Sequence, residues 1–188
     1  MATPRSDAPA IARPRDPSQR GPSPRGISWP AYGAYVWSLL FAAMSFYWAA
    51  GGTIGIDTQA PGIAELARER DPGFVAVLWV TGLLKLLGVP LALALVQPWG
   101  RVFPRWMLLT AAWGAGAGMV LWGGLNLCVG VGVGVLRAAG VVDPPEDTSA
   151  FWWHLLLWDP WWILGGVLFL MAAWQYRRRT RTPRDPSD

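Results

Sequence analysis

The sequence predicts an all-α fold, an integral membrane four-helix bundle with disordered cytoplasmic tails, and three observations predict it. Four apolar runs approach the roughly 20 residues that a helix rising about 1.5 Å per residue needs to cross a hydrocarbon core of about 30 Å. Half of the 28 charged side chains fall in residues 1–28 and 177–188, so the middle of this 188-residue chain is far more apolar than its 53% apolar, 15% charged composition suggests. A single His and a single Cys exclude a disulfide scaffold, a multi-Cys or multi-His metal site and a dithiol redox pair, because each needs two or more such side chains.

The N-terminal stretch 1–28 is rich in Pro, Arg, Ser and Ala and holds almost no large apolar side chain, so it cannot bury enough surface to offset its chain entropy. It is expected to be a disordered tail. No apolar run precedes Tyr32 as a secretory signal would require, so the first span is read as a retained anchor. Residues 29–176 form the transmembrane domain, with spans at about 31–50, 74–96, 106–128 and 151–174, and residues 177–188 form a basic tail. The third run continues through GVGVGV to Leu136, where so many glycines predict a frayed, tilted or unwound end.

Arginine sets the expected orientation, since Lys and Arg near span ends are held on the cytoplasmic side. Both tails and the loop carrying Arg101 and Arg105 hold 12 of the 15 Arg, whereas the opposite side has Arg68, Arg70 and Arg137 beside seven acids. Both termini are therefore placed in the cytoplasm. Trp29, Trp99, Trp106 and Trp174 fall at the inner span ends and Trp48, Trp152 and Trp153 at the outer ones, where amphipathic rings sit at headgroup level. In the longer outer loop, Pro61 opens a short amphipathic helix with Ile63, Leu66 and Ala67 on one side. That helix is expected to lie on the membrane surface, with capping of the bundle as the alternative.

Small residues let helices approach closely in lipid and so mark inward faces. Span two carries Thr81, Gly82, Lys85, Gly88, Val89 and Ala92 on one face, span one carries Ser38, Ala42, Ser45, Ala49 and Gly52, and span three carries Gly114 and Gly118. This pattern turns Lys85 into the bundle. It lies 11 residues, about 16 Å, from either end of its span, beyond the reach of a snorkelling side chain. A Lys at a helix centre costs about 2.5–3.5 kcal/mol on insertion scales, so something must compensate it. Asp159, at a similar depth in span four, is the expected partner in an intramembrane ion pair. Such a pair either marks a proton, ion or ligand path or only fixes helix register.

Next to it, Pro160 kinks a continuous helix, the favoured reading, or sits in the first turn of a shorter helix that Asp159 caps. His154, Asn126, Ser45 and Tyr47 approach the same outer level and could line an outward polar pocket, with Cys128 nearby as a small apolar filler. One His cannot supply both axial ligands of a b-type haem, and no phosphate, zinc or nucleophile-elbow motif is present, so no metal or cofactor is expected. The basic C-terminal run RRRTRTPR suits anionic headgroups, and membrane topology accounts for the Arg without nucleic acid.

At SFYWAAGGTIGIDT, LWVTGLLKLLG and WHLLLWDPWWILGG, the chain resembles domain-of-unknown-function family 3995, small bacterial integral membrane proteins, over about residues 31–176. The resemblance implies a four-span protein of the bacterial inner membrane and carries no activity or functional residue with it. The expected function is therefore a non-enzymatic, permease-like or ligand-binding unit with a polar centre at Lys85 and Asp159, embedded in the lipid bilayer and forming a homo-oligomer or part of a larger complex. A structural or accessory subunit is the second reading. A membrane-embedded lipid or isoprenoid enzyme is the third, for which His154 and Asp159 make a thin acid/base set.

Overall fold

The computed structural model describes residues 28–143 and 148–180; the expected N-terminal tail up to residue 27 and the C-terminal residues from 181 lie outside them. Six α-helices follow in chain order: α1 (Trp29–Ala49), α2 (Pro61–Arg68), α3 (Pro72–Ala94), α4 (Arg105–Ala138), α5 (Ser149–Trp153) and α6 (Asp159–Arg179). A π-helical stretch, His154–Trp158, joins α5 to α6 without a break in winding. The fold is all-α, with no strand among the described residues. Three helical segments are long and apolar enough to cross a membrane, Pro72–Ala94, Arg105–Ala138 and the continuous Ser149–Arg179.

The four expected spans thus become three by this measure. α1 has the length, at 21 residues, but Tyr32, Tyr35, Ser38, Ser45 and Tyr47 dilute its apolar character. Its position explains why that composition is tolerated. α1 packs along α3 on one side and against α6 on the other, while α4 packs along α6. α1 is thus the helix that joins the two pairs, and its stripe of Ser38, Ala42, Ser45 and Ala49 is buried as the pattern predicts.

Close approach within each pair is made by absent side chains. In the antiparallel pair of α1 and α3, a Cβ on Gly82 would lie 2.6 Å from the Phe46 ring. In the antiparallel pair of α4 and α6, a Cβ on Gly116 would lie 2.9 Å from the Gly166 carbonyl, and one on Gly123 would lie 2.7 Å from the Asp159 carbonyl. Gly114 and Gly118, the expected crossing pair, have no neighbour within 4 Å of such a Cβ. That expectation is corrected by two residues: in GAGAG it is the middle glycine that faces α6, and the outer two turn about 200° away from it.

The remaining pair, α3 and α4, hardly touch. They meet at the terminal end of the bundle, where α1 begins and α6 ends, and where Ala31, Ala94, Leu95, Leu108, Ala112, Ala172 and Ala173 form one cluster. Toward the opposite, cap end they leave an open cleft. The bundle is closed on three sides.

α4 also departs from expectation at its far end. It runs unbroken to Ala138, 34 residues or about 51 Å, where a frayed end after Cys128 was expected. The glycines that argue against a helix in isolation leave room for α5 and the π stretch: Leu155 lies against Gly130 and Phe151 against Gly134, and the Arg137 guanidinium covers the Phe151 ring at 4.7 Å. α6 extends to Arg179, so the first three Arg of the expected tail are helical. Basic groups in a last helical turn complement the exposed carbonyls there.

The cap, residues 50–71, closes the other end. α2 covers the short turn Ile56–Thr58, whose Ile56 is buried, and an ion pair between Arg68 and Asp57 ties the two. Trp48 donates to the Ile54 carbonyl at 2.9 Å and Trp158 donates to Thr58 Oγ1 at 3.0 Å, so the loop is fastened to both α1 and the π stretch. The loop before α2 is thus fixed onto the bundle, and α2 lies outside it against that turn, with Ile63 and Leu66 exposed. Asp71 accepts a hydrogen bond from the Phe74 amide at 2.8 Å and caps α3, with Pro72 in the first turn. Asp71→Ala is expected to lower stability by about 1 kcal/mol, read as a drop in the unfolding midpoint in detergent.

Six of the seven tryptophans expected at span ends, Trp29, Trp99, Trp106, Trp152, Trp153 and Trp174, are exposed there, and Trp48 is drawn into the cap. The interior tryptophans do something else. Trp37, Trp158, Trp161 and Trp162 gather around Phe41 into an aromatic core between α1 and α6, with centroids 4.9–6.4 Å apart.

Candidate functional site

The site grows from Lys85. Side chains on a helix lean toward its N-terminus, and α3 runs from the cap end toward the terminal end. The ammonium is therefore carried toward the cap and reaches α1, where it donates to Ser45 Oγ at 2.7 Å. It lies 3.8 Å from the centroid of the Phe41 ring and 5.9 Å from that of Trp162. An ammonium over an aromatic face gains about 0.5–2 kcal/mol, more where water is excluded. A hydroxyl and two ring faces thus offset part of the burial of this charge.

The expected Lys85–Asp159 ion pair is not formed. Asp159 is 5% exposed, and its carboxylate faces His154, with Oδ1 3.9 Å from Nδ1. Equal depth was the basis for the pairing, and depth says nothing of direction. The Asp159 backbone lies against Gly123 of α4, and Phe41, Trp158 and Trp162 occupy the space on the α1 side of α6. Each charge has found its own neighbour, and among the described residues Lys85 has no carboxylate within ion-pair reach.

The π stretch brings His154 to Asp159. Its hydrogen bonds run from residue i to i+5, so residues five apart come into line, as they do not in an α-helix. Its position follows from Pro160, which has no N–H to donate and whose ring would press on the Leu156 carbonyl in a regular helix. Wider winding over His154–Trp158 relieves that conflict. The continuous-helix reading of Pro160 holds, while Asp159 has helical dihedrals rather than those of an N-cap.

The expected outer pocket of His154, Asn126, Ser45 and Tyr47 is not assembled. Ser45 serves Lys85, His154 faces Asp159, Tyr47 accepts from the Ile54 amide through its hydroxyl, and Asn126 donates to the Trp122 carbonyl of its own helix. Each local polar group has satisfied itself nearby. Cys128 is exposed on α4. No cluster of three or more His, Cys, Asp or Glu gathers among the described residues.

What the structure does assemble is the cleft between α3 and α4. It has a volume of about 470 Å³, within the roughly 300–1,000 Å³ of small-molecule sites. Leu84, Lys85, Leu87, Gly88 and Leu91 form one wall, Gly114, Ala115, Gly118 and Met119 the other, and Trp37, Ser38, Trp162 and Phe169 the floor. Lys85 is the one charged residue on these surfaces. Ser38, 1% exposed, lies beneath the cleft with its hydroxyl packed against Gly88 and without a hydrogen bond. The inward stripe of α3 pointed to this wall; the exposed faces of Gly114 and Gly118, and the part played by Phe41 and Trp162, were not visible from residue spacing.

Neither the curated proteins nor the solved structures yield a match to this chain. One family does match, over residues 38–169, from the middle of α1 through the π stretch and into α6, so it takes in every wall of the cleft. On that match, the chain belongs to the family described as Protein of unknown function (DUF3995).

Proposed function

We propose that the chain is a four-span protein of the bacterial inner membrane, with both termini cytoplasmic, that binds a bilayer-soluble ligand in the α3–α4 cleft. The observation that carries this reading is the cleft itself: an apolar space of about 470 Å³ with one ammonium on its wall. Packed helices in lipid approach until their side chains meet, and here two long neighbours stay apart along a smooth, glycine-lined surface. The orientation rests on the 12 of 15 Arg on the side of the termini. α1 completes the fourth span, with Ser38 and Ser45 buried and Ser45 on Lys85, and the exposed Tyr32 and Tyr47 near its two ends.

A binding unit fits better than a conduit. The alanine-rich cluster that joins all four long helices at the terminal end closes the cleft in that direction. Access is lateral, past Leu84 and Leu87, which are 67% and 64% exposed. An enzyme would need an acid or base in the cleft beyond Lys85, and the His154–Asp159 pair lies elsewhere.

Gly118→Leu tests this reading, because the added side chain has open space to enter and no backbone to displace. Native mass spectrometry of gently purified wild type is expected to show a lipid-sized adduct, reduced at least tenfold in Gly118→Leu while both unfold at similar temperature. Equal retention by the two proteins, or a co-purifying protein in place of the adduct, sinks the reading in favour of an accessory subunit.

A further inference from the structure

Resting on the binding-cleft reading, we infer that the ligand is a single-chain amphiphile ending in a carboxylate, a fatty-acid-like molecule, with its carboxylate on Lys85 and its chain along the Gly114–Gly118 wall. The charge argument comes first. An ammonium has three donors; Ser45 takes one, and Lys85 otherwise borders an apolar space with no anion opposite it. One compact monovalent anion neutralises it. A phosphate monoester, with about 1.5–2 negative charges, would leave net charge at mid-membrane depth. A two-chain phospholipid would have to draw its whole polar headgroup about 16 Å from the interface to reach the same atom.

The shape argument agrees. Apart from Lys85 and the hydroxyls of Ser38 and Thr81, the walls are apolar or glycine, and the two bare glycines leave a flat strip along α4 that an extended chain can follow.

A second copy of this chain is the competing occupant, and charge disfavours it. Asp159 is the one acid within the long helices, and it is already buried beside His154. A neighbouring copy therefore has no carboxylate to offer Lys85.

The test uses the purified full-length protein with three probes, hexadecanoate, hexadecanol and butyrate, followed by titration calorimetry. Hexadecanoate is expected to bind at least tenfold more tightly than hexadecanol, and butyrate not measurably. Lys85→Met is expected to weaken hexadecanoate at least tenfold while leaving hexadecanol unchanged, and Lys85→Arg to retain most of the affinity. Lys85→Met removes a charge that opposes insertion, so its folding is favoured.

Equal binding of acid and alcohol to wild type overturns the carboxylate assignment and leaves the binding cleft standing. Binding of neither, with Gly118→Leu no different from wild type, overturns both. A stable wild-type dimer that Gly118→Leu disperses assigns the cleft to a second copy and overturns the proposal.

Discussion

Gly166→Leu is expected to separate α4 from α6 and to lower stability by at least about 3 kcal/mol, the upper range for overpacking a close-packed interior. A Cβ at Gly166 would lie 2.6 Å from the Gly116 carbonyl and 2.8 Å from the Val120 amide nitrogen. Both are backbone atoms of α4, so no side-chain rotation relieves the clash and the whole helix must move. Gly114→Ala and Gly118→Ala, in the same GAGAG run as Gly116, meet nothing within 4 Å. They are expected to be neutral or to stabilise by up to about 1 kcal/mol through helix propensity. Unfolding midpoints in a mixed-detergent titration measure all three; a midpoint for Gly166→Leu equal to that of Gly118→Ala would contradict the packing described.

Trp37→Ala is expected to cost about 3–5 kcal/mol and to change the topology of the interior. The indole stands between two spaces: it floors the α3–α4 cleft and also lines a groove on the α1–α6 face with Tyr32, Leu40, Trp161 and Leu168. Its Nε1 donates to the Trp161 carbonyl at 2.9 Å and its ring stacks on Trp161 at 5.9 Å. In lipid the loss is of packing contacts rather than of water exclusion, and no neighbouring side chain is free to fill so large a space. With the ring gone, the two spaces join across the bundle. Both spaces open sideways and the cluster at the terminal end still closes the bundle there, so the effect is expected as a lower unfolding midpoint in detergent and not as a path across the membrane. A variant that folds and loses no stability would show that the indole is not the partition.

The inward faces of α1 and α3 were legible because small residues in a membrane helix gain nothing from facing acyl chains. Ser38, Ala42, Ser45 and Ala49 are buried, and Gly82 and Gly88 sit against Phe46 and Ser38. Periodicity says less about which neighbour a face meets. Gly114 and Gly118 form as good a small-residue pair as any, yet only Gly116 between them meets α6, since two residues along a helix turn a position by about 200°. Lys85 and Asp159 fail for a related reason. Sequence gives their depth, but the partner of each is chosen by the lean of the side chain, by the aromatic core on one side and by five residues of π winding on the other. The π stretch itself had a sequence signal in Pro160, which announces a disturbed turn without saying whether the helix bends, stops or widens. The length of α4 was hidden because GVGVGV is a weak helix former that α5 and the π stretch hold in place.

The gap between α3 and α4 beyond the end where they meet has a consequence for the membrane around it. A bundle closed by helices on all sides has a fixed footprint, and the bilayer can only surround it. Here the fourth side is completed by whatever lies in the plane of the membrane, so the gap between α3 and α4 sets an in-plane area on which lateral pressure does work. In the four-span arrangement proposed here, the area that the protein takes up in the membrane therefore includes whatever fills that side, and filling or emptying the cleft exchanges that area with the surrounding lipid.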